Sequence, residues 1–376
     1  MITSEHGSSV VAGILATTLA LSACGERSAE RSRAVRADSR GAAALDSVVV
    51  LATRWLVAPS PEQEPPLAAP VGLAVDDERG RVYVLELTPP ELRLYDADDG
   101  RFLGALGREG DGPGEYRHPI GMALNGGGTA AVLAVSGRVT FWDSGSELLG
   151  IATAGPGLAT DIVPARGDSF YVKTELFAPE DVAEFRIVHP GLAMARTRFS
   201  DAEVTGLEEP GRDSRNHSYP IAATMSGGLL IAPPGPDYRI IGFSPEGVVA
   251  GTARRQEVEP LERDAKEIEA IRTRIRNAFA TAGRPAPKDI PVPMYRAHIA
   301  RLCVAGDGTI WALTQRGSGE ISMIDRFDEH GRFQGSLRVG LRISELFVTS
   351  SHIYLLARSE LDVPGIAIGL RPDTKS

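Results

Sequence analysis

The segment VGLAVDDERGRVYVLELTPPELRLYDADDGRFLGAL, residues 71–106, contains four short apolar runs separated by turns rich in Asp and Gly. Short runs rich in β-branched side chains and bounded by turn residues are typical of β-strands. The segment IGMALNGGGTAAVLAVSGRVTFWDSGSELLGIA, residues 120–152, repeats the same order of runs and turns. The two copies therefore predict a repeated unit of four antiparallel strands.

Weaker copies of this unit continue to the end of the chain. The turns that follow their third strands are predicted at residues 189–191, 244–247 and 328–331. Their fourth strands are predicted at residues 193–199, 248–252 and 333–339. A sixth unit has only three strands, at residues 343–348, 353–357 and 366–370. The β-branched-rich segment 47–57 precedes the first unit and has no partner there.

We expect segment 47–57 to supply the missing fourth strand of the sixth unit. Closing a ring in this way removes both free sheet edges. The predicted fold is all-β: a six-bladed β-propeller whose N-terminal strand closes the last blade, with one helical insertion. The alternative, an open β-sandwich, does not explain why the turns recur at one offset inside each unit.

The residues between the first two units carry a family resemblance. GPGEY at 112–116 and PIGMA at 119–123 resemble the GPGxFxxPxGIA segment of NHL-repeat propellers, and residues 299–312 match it in part. The resemblance covers about two blades well and implies the propeller fold more than any activity. The NHL family includes binding scaffolds and a few enzymes. Its lyase and lactonase relatives hold a metal near the axis with His, Glu, Asn or Asp.

The N-terminus has the pattern of a secretory signal. An apolar run at residues 10–21 leads to LSAC at 21–24, which looks like a bacterial lipobox, although residues 1–9 lack the expected Lys or Arg. The run is too short to span a bilayer. Acyl chains on Cys24 would instead hold the protein at a membrane, with about 0.8 kcal/mol for each buried CH₂ group.

These features predict the domain organisation and the location. The predicted parts are a signal peptide over residues 1–23, a flexible tether over 24–44 and the propeller over 45–376, with the helical insertion at about 257–283. The predicted location is the bacterial cell envelope, at the outer membrane or on the periplasmic side. The only membrane contact expected is the lipid anchor on Cys24.

Charge and cysteine content narrow the possible partners. The chain has 40 Lys and Arg against 49 Asp and Glu, a formal net charge of −9, so a nucleic-acid partner is not expected. The chain has two cysteines, and acylation of Cys24 would leave Cys303 alone, without a disulfide. Cys303 lies in an apolar run and is predicted to be a packed core thiol.

Loop lengths predict which face of the propeller is functional. Turns on one face are short, whereas the other face receives every long connection, and long loops usually carry binding sites. These connections are residues 108–119, 177–184, 201–220, 256–298 and 359–365. The longest has apolar residues at helical spacing from Leu261 to Ala282. We expect this helix to pack on the propeller rim as a lid, with docking of a partner as the alternative.

Four residues are candidates for ligand binding at the channel mouth: His118, Tyr219, His298 and Arg342. The first three precede the first strands of blades two, four and five, and Arg342 leads blade six. Blades two and five are opposite in a six-fold ring, so His118 and His298 would face each other. The alternative is that each residue only caps its loop.

The function predicted from these observations is a non-catalytic envelope lipoprotein. It would bind a peptide, a glycan or a partner protein through the loop-rich face, and no cofactor or metal is predicted. The chain contains no nucleophile elbow, HExxH, CxxC, P-loop or dinucleotide fingerprint. The alternative is a metal-dependent lyase or lactonase that uses His118 and His298 at the channel mouth.

Overall fold

Six β-sheets form the part of the chain that the structure describes. The computed structural model describes residues 48–372 except 61, 177–181, 201–218, 257, 282–285, 287, 289, 291 and 293. All of them belong to one unit, Ala37–Ser376. The strands are β1 (Val48–Val50), β2 (Thr53–Val57), β3 (Pro70–Asp76), β4 (Arg81–Leu87), β5 (Pro90–Asp96), β6 (Phe102–Leu106), β7 (Pro119–Leu124), β8 (Ala130–Ala134), β9 (Arg138–Trp142), β10 (Leu148–Thr153), β11 (Leu158–Pro164), β12 (Phe170–Leu176), β13 (Val182–Val188), β14 (Arg196–Ser200), β15 (Ile221–Ala223), β16 (Leu229–Ile231), β17 (Tyr238–Phe243), β18 (Val249–Arg255), β19 (Ile299–Val304), β20 (Ile310–Ser318), β21 (Ile321–Phe327), β22 (Phe333–Val339), β23 (Arg342–Val348), β24 (His352–Arg358) and β25 (Pro364–Leu370).

The strand pairing is that of a six-bladed β-propeller. Blades one to five consist of β3 to β6, β7 to β10, β11 to β14, β15 to β18 and β19 to β22, and blade six of β23 to β25 with β2. The first strand of each blade contacts the first strand of the next, and β23 contacts β3, so the six innermost strands form a closed ring. The predicted all-β propeller fold is confirmed.

The N-terminal segment closes the ring as two strands rather than one. β2 pairs antiparallel with β25, from Thr53 opposite Gly369 to Val57 opposite Ile366, and completes blade six as predicted. β1 pairs parallel with β22 and adds a fifth strand to blade five. Leu51 lies between β1 and β2, and its side chain is buried in the core between blades five and six. At this point the chain passes from the edge of blade five to the edge of blade six.

The hydrophobic core lies between the blades. Six clusters of buried side chains each combine residues of two neighbouring blades, including Val75 with Leu356 between blades one and six. Cys303 belongs to the cluster between blades five and six, and burial raises the pKa of its thiol to about 11. A thiol in this state is a packing group and not a nucleophile at neutral pH, which confirms the prediction for Cys303.

The two faces of the ring differ in the length of their connections, as predicted. On one face, the turn face, no described connection between strands of a blade exceeds seven residues. Its turns are fixed locally: Asn125 Oδ1 accepts hydrogen bonds from the backbone N–H groups of Gly127 and Thr129 at 3.0 and 2.9 Å. The opposite face, the loop face, carries the connections between blades, including residues 107–118 and 256–298.

Polar contacts hold the connection between blades one and two. Tyr116 is 1% exposed, and its hydroxyl accepts a hydrogen bond from Trp142 Nε1 at 2.5 Å. Arg138 donates to the carbonyl oxygens of Asp111 and Gly112. These contacts therefore fix part of the loop between blades one and two.

The longest connection contains a helix, α1 (Ala265–Thr281), inside the predicted insertion. Asp264 caps it, because its Oδ1 accepts a hydrogen bond from the backbone N–H of Glu267 at 2.7 Å. Glu267 also accepts from Arg296 Nη2 at 2.6 Å, which ties the helix to the returning chain. Packing of α1 on the propeller rim stays a prediction. Among the described residues, no helix is long and apolar enough to cross a membrane.

Candidate functional site

The innermost strands share one irregularity that positions side chains at the axis. In β3, β7, β11, β19 and β23 the pairing with the second strand of the blade shifts by one residue near the loop face. The residue that follows each shift lies four positions before the first turn of its blade, and Pro220 lies at this spacing in blade four. We call this set the axial rung: Gly72, Gly121, Asp161, Pro220, Arg301 and Glu345.

Three members of the axial rung are charged and act on one another across the ring. Arg301 Nε donates to Glu345 Oε1 at 2.6 Å, which joins blades five and six. Asp161 of blade three interacts electrostatically with both residues. Within the described part of the chain, these bonds leave Arg301 Nη2 and Glu345 Oε2 without a hydrogen-bond partner. The rung therefore retains both a donor and an acceptor for a ligand.

Solvent reaches this charged group even though protein surrounds it. The side chain of Arg301 is 50% exposed and that of Glu345 is 17% exposed. Burial raises the pKa of Glu345 to about 7, and the negative charge of Asp161 adds to the rise while Arg301 opposes it. Burial also raises the pKa of Asp161. Carboxyl groups perturbed in this way, at the centre of a fold, are typical of functional sites.

Buried contacts behind Asp161 fix the wall of the channel. Asp161 pairs with Lys173 of β12, a residue only 3% exposed. Lys173 Nζ donates to the carbonyl oxygen of Tyr219 at 2.8 Å and lies 4.5 Å from the centre of the Tyr219 ring. The cation is thus held between blades three and four, where its charge favours the ionised form of Asp161.

An open pocket of about 160 Å³ adjoins the axial rung between blades five and six. Its lining combines apolar side chains, among them Leu313 and Ile343, with the polar side chains of Thr314, Gln315, Ser322 and Arg342. Ala300 also lines it, and the Ala300 carbonyl accepts a hydrogen bond from Arg301 Nη1 at 2.9 Å. The pocket therefore lies beside Arg301 and offers a partly apolar lining next to the charged group.

The structure places the four predicted ligand-binding residues in different surroundings. His118 is exposed, and its carbonyl accepts a hydrogen bond from Val135 N at 3.0 Å. Arg342 is exposed and forms an ion pair with Asp362. Tyr219 is 6% exposed, below Lys173. Of the four, Arg342 lines the pocket beside the axial rung.

His298 is buried between blades four and five. It is 3% exposed, its Nε2 is 3.1 Å from the Pro236 carbonyl oxygen and its ring lies on Tyr238. This contact makes Nε2 the protonated nitrogen, and burial lowers the pKa of the imidazole. Among the described residues, no three His, Cys, Asp or Glu side chains form a group that could hold a metal. The ligand-binding role predicted for the four residues stays a prediction, and Cys24 lies outside the described residues.

Two solved structures resemble the chain at low identity. One is a structure of U3-55K, with a TM-score of 0.49 and 10% identity over 81% of this chain and 98% of that chain. The other is regucalcin, a calcium-binding protein from Agrobacterium tumefaciens, with a TM-score of 0.47 and 14% identity over 87% of this chain and 95% of that chain. No protein-family model and no curated protein matches the chain. The fold assignment therefore rests on the strand pairing.

Proposed function

We propose that the protein is a lipid-anchored binding protein of the bacterial cell envelope. It binds a polar ligand at the loop-face mouth of the axial channel and does not act on it chemically. The observation that carries the proposal is the group of three charged side chains, Asp161, Arg301 and Glu345, contributed by three blades. Among the residues that the structure describes, Arg301 Nη2 and Glu345 Oε2 have no hydrogen-bond partner, and solvent reaches both side chains. Few precisely placed polar groups beside an apolar wall are typical of ligand sites.

Two further features support the proposal. The long connections between strands lie at the loop-face end of the blades, and binding residues are concentrated on such loops. The NHL-type likeness of residues 112–123 agrees, because that family includes binding scaffolds. The exposed side chains of His118 and Arg342 lie at the same end of their blades and are proposed as rim contacts.

The lipid anchor is tested by replacing its cysteine. We expect Cys24→Ser to move the protein from the membrane fraction to the soluble fraction, because no thioether can then carry the acyl chains. Cys303→Ala is the control, since it removes the other cysteine of the chain and leaves the signal intact. Fractionation of cells followed by immunoblotting measures the distribution. Full retention of Cys24→Ser in the membrane fraction would refute the anchor.

The binding site is tested by filling the channel. Gly121 lies on the axial rung, and a Cβ added there meets only Ile162 Cγ2, at 3.6 Å. The same position carries side chains with at least as many heavy atoms as that of leucine in blades three, five and six: Asp161, Arg301 and Glu345. We therefore expect Gly121→Leu to fold and to occupy the channel. Gly251→Leu on β18, the outermost strand of blade four, is the matched control, because a Cβ there meets nothing within 4 Å.

The measurement is the melting temperature in a panel of sugars, amino acids, amines, carboxylic acids and short peptides. A compound that binds the folded protein adds about 2.7 kcal/mol at 100 times its Kd. We expect at least one class to stabilise the wild type and Gly251→Leu but not Gly121→Leu. Equal stabilisation of all three proteins, or stabilisation of none, would place the function away from the channel.

A further inference from the structure

The axial rung offers opposite charges side by side. Asp161 and Glu345 are carboxylates from blades that face each other across the ring, and Arg301 lies beside Glu345 at 2.6 Å. Blades one and two have glycines, Gly72 and Gly121, at the corresponding positions. The Met122 side chain occupies the space beside Gly72, whereas a Cβ added at Gly121 would meet only Ile162 Cγ2, at 3.6 Å. A ligand group can therefore approach the three charges from the side of Gly121.

The charged groups are only partly used within the protein. Arg301 donates hydrogen bonds from Nε to Glu345 Oε1 and from Nη1 to the Ala300 carbonyl oxygen. Within the described residues, the bond to Oε1 is the one hydrogen bond that the Glu345 carboxylate accepts. An ammonium group satisfies carboxylate oxygens, and a guanidinium edge binds a carboxylate well. A ligand with only one of these charges leaves the opposite charge of the rung unsatisfied when it displaces water.

We propose, on the basis of the proposed function, that the channel site binds a free α-amino acid with an aliphatic side chain. The ammonium group lies between Asp161 and Glu345, and the carboxylate faces the unused edge of Arg301. The side chain enters the adjoining pocket of about 160 Å³, against Leu313 and Ile343. Arg342 also lines this pocket.

Binding of the ammonium group requires ionised Glu345. The charged groups that act on the Glu345 carboxyl are Arg301 from β19 and Asp161 from β11. Two other neighbours are uncharged: Gly72 of β3, and Leu356 of β24, which pairs with Glu345. Because the Glu345 pKa is raised to about 7, only part of the protein is competent to bind at neutral pH. The apparent affinity should rise about tenfold from pH 6 to pH 8, in proportion to the ionised fraction.

The test is calorimetric titration of the full chain with three matched probes. L-Norvaline carries both charges, butylamine lacks the carboxylate and pentanoate lacks the ammonium group. We expect L-norvaline to bind, and the two single-charge probes to bind at least about tenfold more weakly, because each leaves a charged partner unpaired. Norvalylglycine, in which the two charges are separated, should also bind more weakly and distinguishes a free amino acid from the end of a peptide.

Variants locate the site and test the role of Glu345. Glu345→Gln and Asp161→Asn should each weaken L-norvaline binding at least about tenfold, and Glu345→Gln should also abolish the rise between pH 6 and pH 8. Glu329→Gln, on the turn face with a side chain 65% exposed, is the control and should bind as the wild type does. Equal binding of butylamine and L-norvaline, or wild-type affinity in both rung variants, would overturn the proposal.

The outcome also separates this inference from the proposed function. If a sugar, or an anion alone, stabilises the wild type but does not stabilise Gly121→Leu, the channel remains the binding site and the proposal of an amino-acid ligand is wrong. If L-norvaline binds equally to Gly121→Leu and the wild type, both proposals fail. Tighter binding of norvalylglycine than of L-norvaline would replace the free amino acid with a peptide end.

Discussion

A chain that begins at residue 58 is expected to fail to fold cooperatively, whereas one that begins at residue 48 should fold. The ten residues between these starts contain β1 and β2, which cover the outer edges of β22 and β25. They bury Leu51, Leu56 and Val57, each at most 7% exposed, and half-bury Trp55. At about 1.5–3 kcal/mol for each large apolar side chain, their loss approaches the entire stability of an ordinary domain.

The measurement compares the two chains by urea unfolding and by light scattering. The shorter chain exposes two long unpaired strands, and unpaired edges promote association between molecules. We therefore expect it to aggregate at concentrations at which the longer chain is monodisperse. A soluble shorter chain with the same unfolding midpoint as the longer one would show that the ring closes without this segment.

A point substitution tests the same closure without truncation. A Cβ added at Gly100 of blade one would lie 2.0 Å from the Leu56 carbonyl oxygen of β2, and the backbone there has φ +73°. Gly80 has a similar φ of +59°, but a Cβ added there meets nothing within 4 Å. Gly80→Ala should cost about 1–2 kcal/mol for backbone strain alone, and Gly100→Ala clearly more. Equal unfolding midpoints for the two variants would contradict this contact.

The blade pattern was predictable where strands are long and turns are rich in Asp and Gly. The predicted fourth strand at 333–339 coincides with β22, whereas the predicted strand at 193–199 begins three residues before β14. The difference arises because residues 193–195 instead pair with Thr153 of the preceding blade. The single predicted strand 47–57 divides into two because Leu51 must fill the core between two blades, a requirement that local β-propensity does not express.

The charged axial rung escaped prediction because blades were aligned on their first residues. The alignment placed His118, His298 and Arg342 together, three positions before the rung residues Gly121, Arg301 and Glu345. The register shift at the start of five inner strands is invisible in the sequence. The first turn of a blade begins at Asn125 in blade two, at Ala305 in blade five and at Thr349 in blade six. If the blades are aligned on these turns, the rung residues all lie four positions before the turn. Asp161 then stands out as a charge in an otherwise uncharged strand.

A buried ionic group locks blade four to blade five. Asp325 of β21 is fully buried, and its Oδ2 accepts a hydrogen bond from Arg316 Nη2 at 2.6 Å. Its Oδ1 accepts from Arg255 Nη1 of blade four at 2.9 Å and from the Ser336 hydroxyl at 2.6 Å. One carboxylate thus balances two cations that are themselves mostly buried, at 14% and 21% exposure.

Asp325→Asn is expected to lower the free energy of unfolding by about 3–5 kcal/mol at neutral pH. The amide keeps the shape of the carboxyl group but removes the negative charge that balances the Arg316 guanidinium group away from bulk water, and a mostly buried charge that loses its counterion is costly. Asp362→Asn is the matched control, because Asp362 pairs with two arginines on the surface, where its side chain is 65% exposed.

The control pair should contribute about 0–1 kcal/mol, since water and salt screen exposed ion pairs. Asn also tolerates the positive φ of 64° at position 362, so backbone strain does not enter the comparison. Urea unfolding of the two variants at low and high salt measures both effects. The loss in Asp325→Asn should persist in high salt, because burial shields this group from mobile ions. Equal stability of the two variants would mean that water hydrates the Arg255 and Arg316 guanidinium groups when Asp325 is neutralised. The contact between blades four and five would then depend on apolar packing alone.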